Sequence, residues 1–152
     1  MTVIGWRVVK QRFVQGAFDG EGAREFGGRW NSVGRSVVYT AATTSLALLE
    51  ILVNSDTTLL RHYVAIPVTF DRALVEVVDA DTLPGDWRSY PPPFQLKSIG
   101  DDWIGSRRSC VLQVPSAVLP HEWNYLLNPA HQDFPSIDIG KPIPFETDTR
   151  LR

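Results

Sequence analysis

The chain has 152 residues and a mass of 17.0 kDa, a length that suits one domain and is too short for two independent cores. Its 43% apolar and 21% charged residues are globular proportions, which excludes a disordered chain or a coiled coil. A net charge of −2 without a dense basic segment argues against direct nucleic-acid binding, and no apolar run has the length of a membrane span. We therefore expect a single domain over residues 1–152, located in the cytoplasm and without a membrane partner.

The first third of the chain is predicted to hold two strands, a long loop and a helix. Residues 4–9 and 36–40 are rich in β-branched residues and should be strands. Between them, the many glycines of residues 11–34 exclude regular structure except one helical turn at 23–26, and aromatic anchors favour an ordered, site-forming loop. A helix is expected over residues 46–54, after a Ser or Thr cap.

The rest of the chain is predicted to combine strands with one further helix. The predicted strands lie at 61–68, 73–78, 110–114, 137–139 and 143–145, and the predicted helix at 97–107. The proline-rich residues 82–93 cannot form a helix and should be an extended surface excursion. This irregular order of elements indicates an α+β fold with a mixed sheet and a few short helices, rather than a parallel βαβ array.

The cysteine and histidines give little sign of metal or thiol chemistry. Cys110 is the single cysteine and stands beside Val111 and Leu112, so we expect a buried structural thiol without a disulfide partner. The three histidines lack the spacing of metal ligands. No metal site is therefore expected.

Glu50 is the most informative charged residue. In a helix over residues 46–54, its neighbours three and four positions away are apolar or neutral, so no cation on the same helix face balances it. Burial of a carboxylate is costly unless the fold supplies a partner from elsewhere. Two interpretations remain: Glu50 lies on the one stripe of the helix that meets solvent, or it faces a pocket with a tuned pKa.

A second candidate site is the segment Gly27-Gly28-Arg29-Trp30-Asn31. Glycines let the backbone approach a ligand closely, and Arg29 offers a planar fork for phosphate or carboxylate. The alternative is a tight turn in which Arg29 pairs with a surface acid and Trp30 packs in the core. The glycine-rich fingerprints of common nucleotide-binding proteins are absent from the sequence.

Two further candidates belong to predicted strands: Tyr39 lies in the strand over residues 36–40, and Ser116 lies at the end of another. The ring of Tyr39 can stack on a planar heterocycle or simply complete the core. Ser116 follows a strand, where its hydroxyl can face a ligand or cap the next turn.

Blocks of residues that match a known family run along almost the whole chain. They are residues 6–8, 28–31 with Gly34, 38–41, 46–50, 114–117, and 124–129 with His131. On these blocks the sequence resembles the RES domain family, the toxin half of bacterial RES–Xre toxin–antitoxin pairs. The family is named for an arginine, a glutamate and a serine, which we map onto Arg29, Glu50 and Ser116, with Arg7 as a rival for the arginine.

The resemblance implies a fold and an activity. The fold would be ADP-ribosyltransferase-like, and NAD⁺ would be consumed as a substrate, with no separate cofactor, so that growth stops. An Xre-like antitoxin with a helix-turn-helix would neutralise the toxin, and a homodimer is left open. Substrate binding would fall to Arg7, Tyr39, Trp30, Asn31 and Asn124.

The acceptor of the ADP-ribose group is open among water, inorganic phosphate and a protein side chain. Leu48 stands where protein-modifying transferases often carry an acidic or amide residue, which favours a small acceptor. A different class of function also remains, a non-catalytic module that binds NAD⁺ without cleaving it.

Overall fold

A computed structural model describes residues 1–54 and 61–151. Within these ranges the chain forms eight strands and three α-helices. This confirms the predicted α+β class with a mixed sheet and a few short helices. The strands are β1 Thr2–Lys10, β2 Val38–Ala41, β3 Tyr63–Asp71, β4 Val75–Val77, β5 Val111–Pro115, β6 Trp123–Leu127, β7 Asp138–Ile139 and β8 Ile143–Pro144. The helices are α1 Glu21–Phe26, α2 Thr44–Asn54 and α3 Phe94–Ser106. None of these helices is long and apolar enough to cross a bilayer.

All eight strands belong to one mixed sheet. Its order is β4-β5-β6-β2-β1-β3-β7, and β8 also pairs with β3. The β4–β5 pair is parallel, and the other pairs are antiparallel. β1 pairs with β3 along its whole length, whereas β1 and β2 meet at one registered pair, Trp6 and Ala41. The sheet therefore consists of two well-paired groups of strands that join at a narrow seam between β1 and β2.

The two faces of the sheet carry separate apolar clusters. Leu127 belongs to the cluster that includes Phe70, whereas its neighbour Leu126 belongs to the cluster that includes Trp103 of α3, because successive strand side chains point to opposite faces. Cys110 is fully buried in the first cluster, which confirms the structural thiol, and burial raises its pKa to about 11.

The main difference from the sequence prediction is β6, which we did not predict. This strand lies between β5 and β2 and pairs with both along its length. Its five residues follow a loop and include the β-formers Trp123 and Tyr125, but Asn124 disfavours a strand and the segment has no sustained apolar–polar alternation. Its pairing with two neighbours, which the local sequence does not reveal, is what makes it a central strand.

The other predicted elements exist with shifted ends. His62 has a left-handed φ of 63°, so β3 begins at Tyr63 rather than at residue 61. A 3₁₀ turn over Arg72–Leu74 shortens the next strand to three residues. α3 begins at Phe94, three residues earlier than predicted. Pro93, which has an extended backbone, caps this start, where the missing backbone N–H of proline costs no helical hydrogen bond.

Candidate active site

Helix α2 presents Glu50 to the sheet. Its start is capped by the Thr43 hydroxyl, which accepts a 3.1 Å hydrogen bond from the backbone N–H of Leu46. Leu46 and Ala47 are buried and pack against Ala41 of β2. Glu50 lies four and three positions further along, so it shares this inward face of the helix. The structure therefore turns Glu50 toward the sheet and partly buries it, which excludes a freely solvated carboxylate on the outer stripe of the helix.

Two side chains from the sheet hold the Glu50 carboxylate. The Ser116 hydroxyl donates to Oε2 at 3.2 Å, and the Asn124 amide Nδ2 donates to Oε1 at 3.0 Å. Ser116 follows β5 and Asn124 lies in β6, where it is paired with Val114. The antiparallel pairing of β5 with β6 places Ser116 near Asn124, and the packing of α2 against β2 brings the distant Glu50 to both of them. We call Glu50, Ser116 and Asn124 the acid cluster.

The surroundings of Glu50 act on its acidity in opposite directions. Partial burial raises the pKa of Glu50 above its ordinary value, because the charged form loses water. The hydrogen bonds from Asn124 and Ser116 lower the pKa, and the nearby negative charge of Glu122 raises it; burial outweighs the rest. The result is a carboxylate that protonates more readily than a surface glutamate while both its oxygens are hydrogen-bonded.

Ser116 combines both roles that its position suggested. Its side chain is fully buried, and its Oγ accepts hydrogen bonds from the backbone N–H groups of Val118 at 3.1 Å and Leu119 at 3.3 Å. The same hydroxyl donates to Glu50. Ser116 therefore caps the turn after β5 and at the same time contacts the acid.

The Gly28–Asn31 segment is a tight turn tied to Tyr39. The Tyr39 hydroxyl donates to Asn31 Oδ1 at 2.6 Å and accepts from the Trp30 N–H at 3.1 Å. A Cβ at Gly28 would lie 2.7 Å from the same hydroxyl oxygen, so this position requires glycine. Burial raises the pKa of Tyr39 above its ordinary value, so the hydroxyl keeps the proton that it donates. We call residues 27–32 the glycine turn.

Trp30 and Asn31 are the buried residues of the glycine turn. Trp30 is 2% exposed and Asn31 is fully buried. Asn31 Nδ2 donates to the backbone carbonyls of Ala23 and Arg35 at 2.8 and 3.1 Å. Trp30 packs in the apolar cluster of α3, as the core-packing alternative predicts, so its ring has almost no free surface for a ligand. Their predicted part in substrate binding can therefore be only indirect in this conformation.

One face of α3 supports the glycine turn, through residues that the sequence analysis did not single out. Lys97 Nζ donates to the carbonyl oxygens of Gly28 and Asn31, and Asp101 accepts a 2.9 Å bond from the Ser32 N–H. A Cβ at Gly100 would lie 1.6 Å from the Trp30 carbonyl oxygen. The available signal was the spacing of positions 97, 100 and 101, which share a helix face, together with a glycine inside a helix.

Arg29 links the glycine turn to the proline-rich excursion. Its Nη1 donates to the carbonyls of Trp87 at 2.9 Å and Ser89 at 3.0 Å, not to a surface acid. Arg88, in the same segment, donates Nε to the carbonyl of Ala117, the residue after Ser116. Burial lowers the pKa of Arg29, which its neighbours Tyr39 and Tyr90 partly offset. The excursion thus runs from the glycine turn to the turn that carries Ser116.

Arg7 lies at the seam of the sheet. Its Nη1 donates to the Tyr39 carbonyl at 3.2 Å and its Nε to the Ala17 carbonyl at 3.0 Å. Burial lowers its pKa, and the negative charge of Asp19 opposes this. The adjacent Val8 packs with the buried residues of α2, so by strand alternation Arg7 leaves β1 on the other face. The arginine rivals therefore occupy distinct places, one in the seam and one at the glycine turn.

Comparison with known proteins places the chain in a family. Residues 4–148 match the RES domain. A protein of Photorhabdus laumondii named Toxin Res is 38% identical, over 98% of this chain and 97% of its own length. A Sphingobium protein named Prs ADP-ribosylating toxin is 37% identical, over 99% and 98%. The chain therefore belongs to the RES domain family, and the resemblance seen in its sequence is confirmed.

A solved structure supports the same fold. The toxin–antitoxin complex MbcT–MbcA of M. tuberculosis contains a chain that superposes with a TM-score of 0.76 at 16% identity, covering 95% of this chain and 85% of that one. At this identity the likeness is one of fold, and it agrees with the α+β architecture described above.

Proposed function

We propose that this protein is the toxin of a toxin–antitoxin pair and that it cleaves the bond between nicotinamide and ribose in NAD⁺. Its family and the names of its relatives support a toxin. The observation that carries the chemistry is the partly buried Glu50 carboxylate, with each oxygen hydrogen-bonded by a side chain from the sheet. A carboxylate held in one orientation suits a reaction in which positive charge develops at a fixed place.

The proposed reaction breaks the C1′–N bond of the nicotinamide-side ribose. The bonding electron pair goes to the pyridinium nitrogen, so nicotinamide leaves as a neutral molecule and needs no general acid. Positive charge develops on the sugar, as in glycoside cleavage. The ionised Glu50 stabilises that charge and the ribose hydroxyls more strongly in the transition state than in the ground state, which is the condition for acceleration. Glu50 is therefore active only when deprotonated.

The remaining candidates would position the dinucleotide. Arg29 or Arg7 would bind a phosphate or the nicotinamide-side ribose, and Tyr39 would stack on nicotinamide. Arg29 would offer its Nε and Nη2 groups to the substrate, while Nη1 stays hydrogen-bonded to the proline-rich excursion. Good positioning of a substrate supplies a large share of a catalysed rate.

Three acceptors distinguish the reaction classes. Water adds its oxygen to C1′ and loses a proton, giving ADP-ribose. Inorganic phosphate adds to the same carbon and gives ADP-ribose phosphorylated there, and a protein side chain gives an ADP-ribosylated protein. Leu48, two positions before Glu50, offers no polar group to a protein acceptor, so we favour a small acceptor. The name of the Sphingobium relative makes protein ADP-ribosylation the second candidate.

The proposed partner is an Xre-like antitoxin with a helix-turn-helix, and the proposed compartment is the cytoplasm, where NAD⁺ is available. A homodimer remains open. In this scheme the toxin itself does not bind nucleic acid.

Expression in bacteria tests the proposal. Induction of the wild-type chain should lower cellular NAD⁺ and stop growth, whereas Glu50→Ala at equal protein level should do neither. Mass spectrometry of the products formed with ³²P-labelled phosphate or with cell extract then separates the three acceptors. Tight NAD⁺ binding by the purified protein without any loss of NAD⁺ would instead favour the non-catalytic module.

A further inference from the structure

We infer that Asn124 and Ser116 act on the reaction by positioning Glu50. Neither the Asn124 amide N–H groups nor the Ser116 hydroxyl hydrogen is available to donate a hydrogen bond to the substrate. This inference rests on the proposed function and assigns Asn124 a different role from the substrate contact expected from the sequence. The hydrogens of both donor groups are already used in contacts within the protein.

The Ser116 hydroxyl has no hydrogen left for a substrate. A serine oxygen can accept through two lone pairs and donate one hydrogen. The N–H groups of Val118 and Leu119 occupy the acceptor side, and Glu50 receives the hydrogen at 3.2 Å. Because the side chain is also fully buried, Ser116 reaches the chemistry only through Glu50.

The Asn124 amide is used in the same way. Its Nδ2 carries two hydrogens, which are donated to the Thr40 carbonyl at 3.2 Å and to Glu50 Oε1 at 3.0 Å. A backbone carbonyl only accepts, so the nitrogen, not the amide oxygen, must face Thr40 and Glu50. Thr40 lies on β2 and its own hydroxyl donates to the Tyr125 carbonyl of β6. Asn124 is therefore held by the pairing of two central strands.

The charges around Glu50 give these donors an electrostatic function. Glu122 contributes a negative charge and is hydrogen-bonded to Thr43 at the start of α2. Arg88 lies at the Ser116 turn, with its guanidinium donating to the carbonyls of Ala117 and Val118. Against burial and Glu122, the two neutral donors stabilise the ionised carboxylate. Removal of either donor should leave Glu50 easier to protonate and less well oriented.

The test compares Asn124→Leu with Asn54→Leu. Asn54 also donates to Glu50, but to its backbone carbonyl, so it is a matched control that leaves the carboxylate untouched. Protein labelled with ¹³C at the glutamate carboxyl is titrated by NMR, and the Glu50 signal is assigned by its loss in Glu50→Gln. We expect Glu50 in Asn124→Leu to titrate at a higher pH than in the wild type and in Asn54→Leu.

Kinetics provide the second readout. In Asn124→Leu we expect kcat at neutral pH to fall about tenfold, the cost of one hydrogen bond to a charged group, with the KM for NAD⁺ nearly unchanged. A raised KM with an unchanged Glu50 titration would overturn the inference and make Asn124 a substrate-binding residue. If Asn124→Leu does not fold, Asn124→Ser, which keeps a small polar side chain, is titrated in its place.

The two readouts separate the inference from the function on which it rests. A wild-type protein that releases no nicotinamide refutes the proposed function, while the NMR titration still decides whether Asn124 controls Glu50. Conversely, if the wild type is active but Glu50 titrates at the same pH in Asn124→Leu as in the wild type, only the positioning role is refuted.

Discussion

The Tyr39 hydroxyl donates a 2.6 Å hydrogen bond to Oδ1 of Asn31, a fully buried side chain on the glycine turn. Tyr39 belongs to β2, which also carries the Thr40 carbonyl that anchors Asn124. The same strand therefore fixes the glycine turn on one side and the acid cluster on the other. The relative placement of the two candidate sites depends on this short strand.

Tyr39→Phe should destabilise the protein. The change leaves the Asn31 oxygen and the Trp30 N–H without their partner, and an unsatisfied buried polar group costs about 1–3 kcal/mol. The free energy of unfolding, measured by urea denaturation, checks this. Tyr90→Phe is the control because Tyr90 is 84% exposed. Equal stability of the two variants would show that the Tyr39 hydroxyl does not hold the turn.

Gly100→Ala should weaken the packing of α3 against the glycine turn. A Cβ at this position would overlap the Trp30 carbonyl oxygen, and overpacking costs about 1–3 kcal/mol or more. The matched control is Gly22→Ala in α1, where a Cβ meets nothing within 4 Å; helix propensity there should give a gain of up to about 1 kcal/mol. Opposite shifts of the urea midpoint are expected, and a stabilised Gly100→Ala would contradict the close approach.

Arg29→Gln should release the proline-rich excursion. Without the two bonds from Arg29 Nη1 to the carbonyls of Trp87 and Ser89, the segment should open more often, and trypsin should cut after Arg88 about tenfold faster. Mass spectrometry of timed digests measures the cut. Arg24→Gln, which breaks only an exposed ion pair with Glu21, should leave the rate unchanged; no acceleration in Arg29→Gln would refute the tether.

The acidic limb of the pH profile of kcat/KM, which reflects ionisations of the free enzyme, should report Glu50. Burial raises the pKa of Glu50 above 4.5, the ordinary value for this side chain. As the pH is lowered, Glu50 should therefore become protonated, and activity should be lost, at a pH higher than 4.5. Glu122→Gln removes a negative charge that raises the pKa of Glu50, so the limb should move to lower pH. A limb that stays in place, or moves upward, would mean that another group controls the profile.

The sequence predicted the carboxylate but not its partners. Glu50 was recognisable because no cation lies one helical turn away, which is a local property. Ser116 and Asn124 are 66 and 74 residues away from Glu50. Their approach depends on the pairing of β6 with both β5 and β2, and β6 was not predicted. Asn124 was singled out by family resemblance alone. The resemblance marked its position in the sequence but did not reveal its hydrogen bond to Glu50.

The glycine turn shows the same limit. Its glycines and aromatic anchors indicated an ordered loop, and the structure confirms order. The carbonyl partners of Arg29 are 58 and 60 residues away, and backbone carbonyls exist at every residue, so no side-chain pattern marks them. The sequence therefore suggested an anion clamp where the structure shows a tether. Binding of an anion there remains a prediction.

The most direct test is release of nicotinamide from NAD⁺ by the purified chain, followed by chromatography. We predict turnover by the wild type, a loss of at least about 100-fold in Glu50→Ala, and full activity in Glu25→Ala, which removes an exposed carboxylate of α1. Thermal melts should show that both variants are folded. Undiminished nicotinamide release by a folded Glu50→Ala would contradict the assignment of Glu50 to the chemistry.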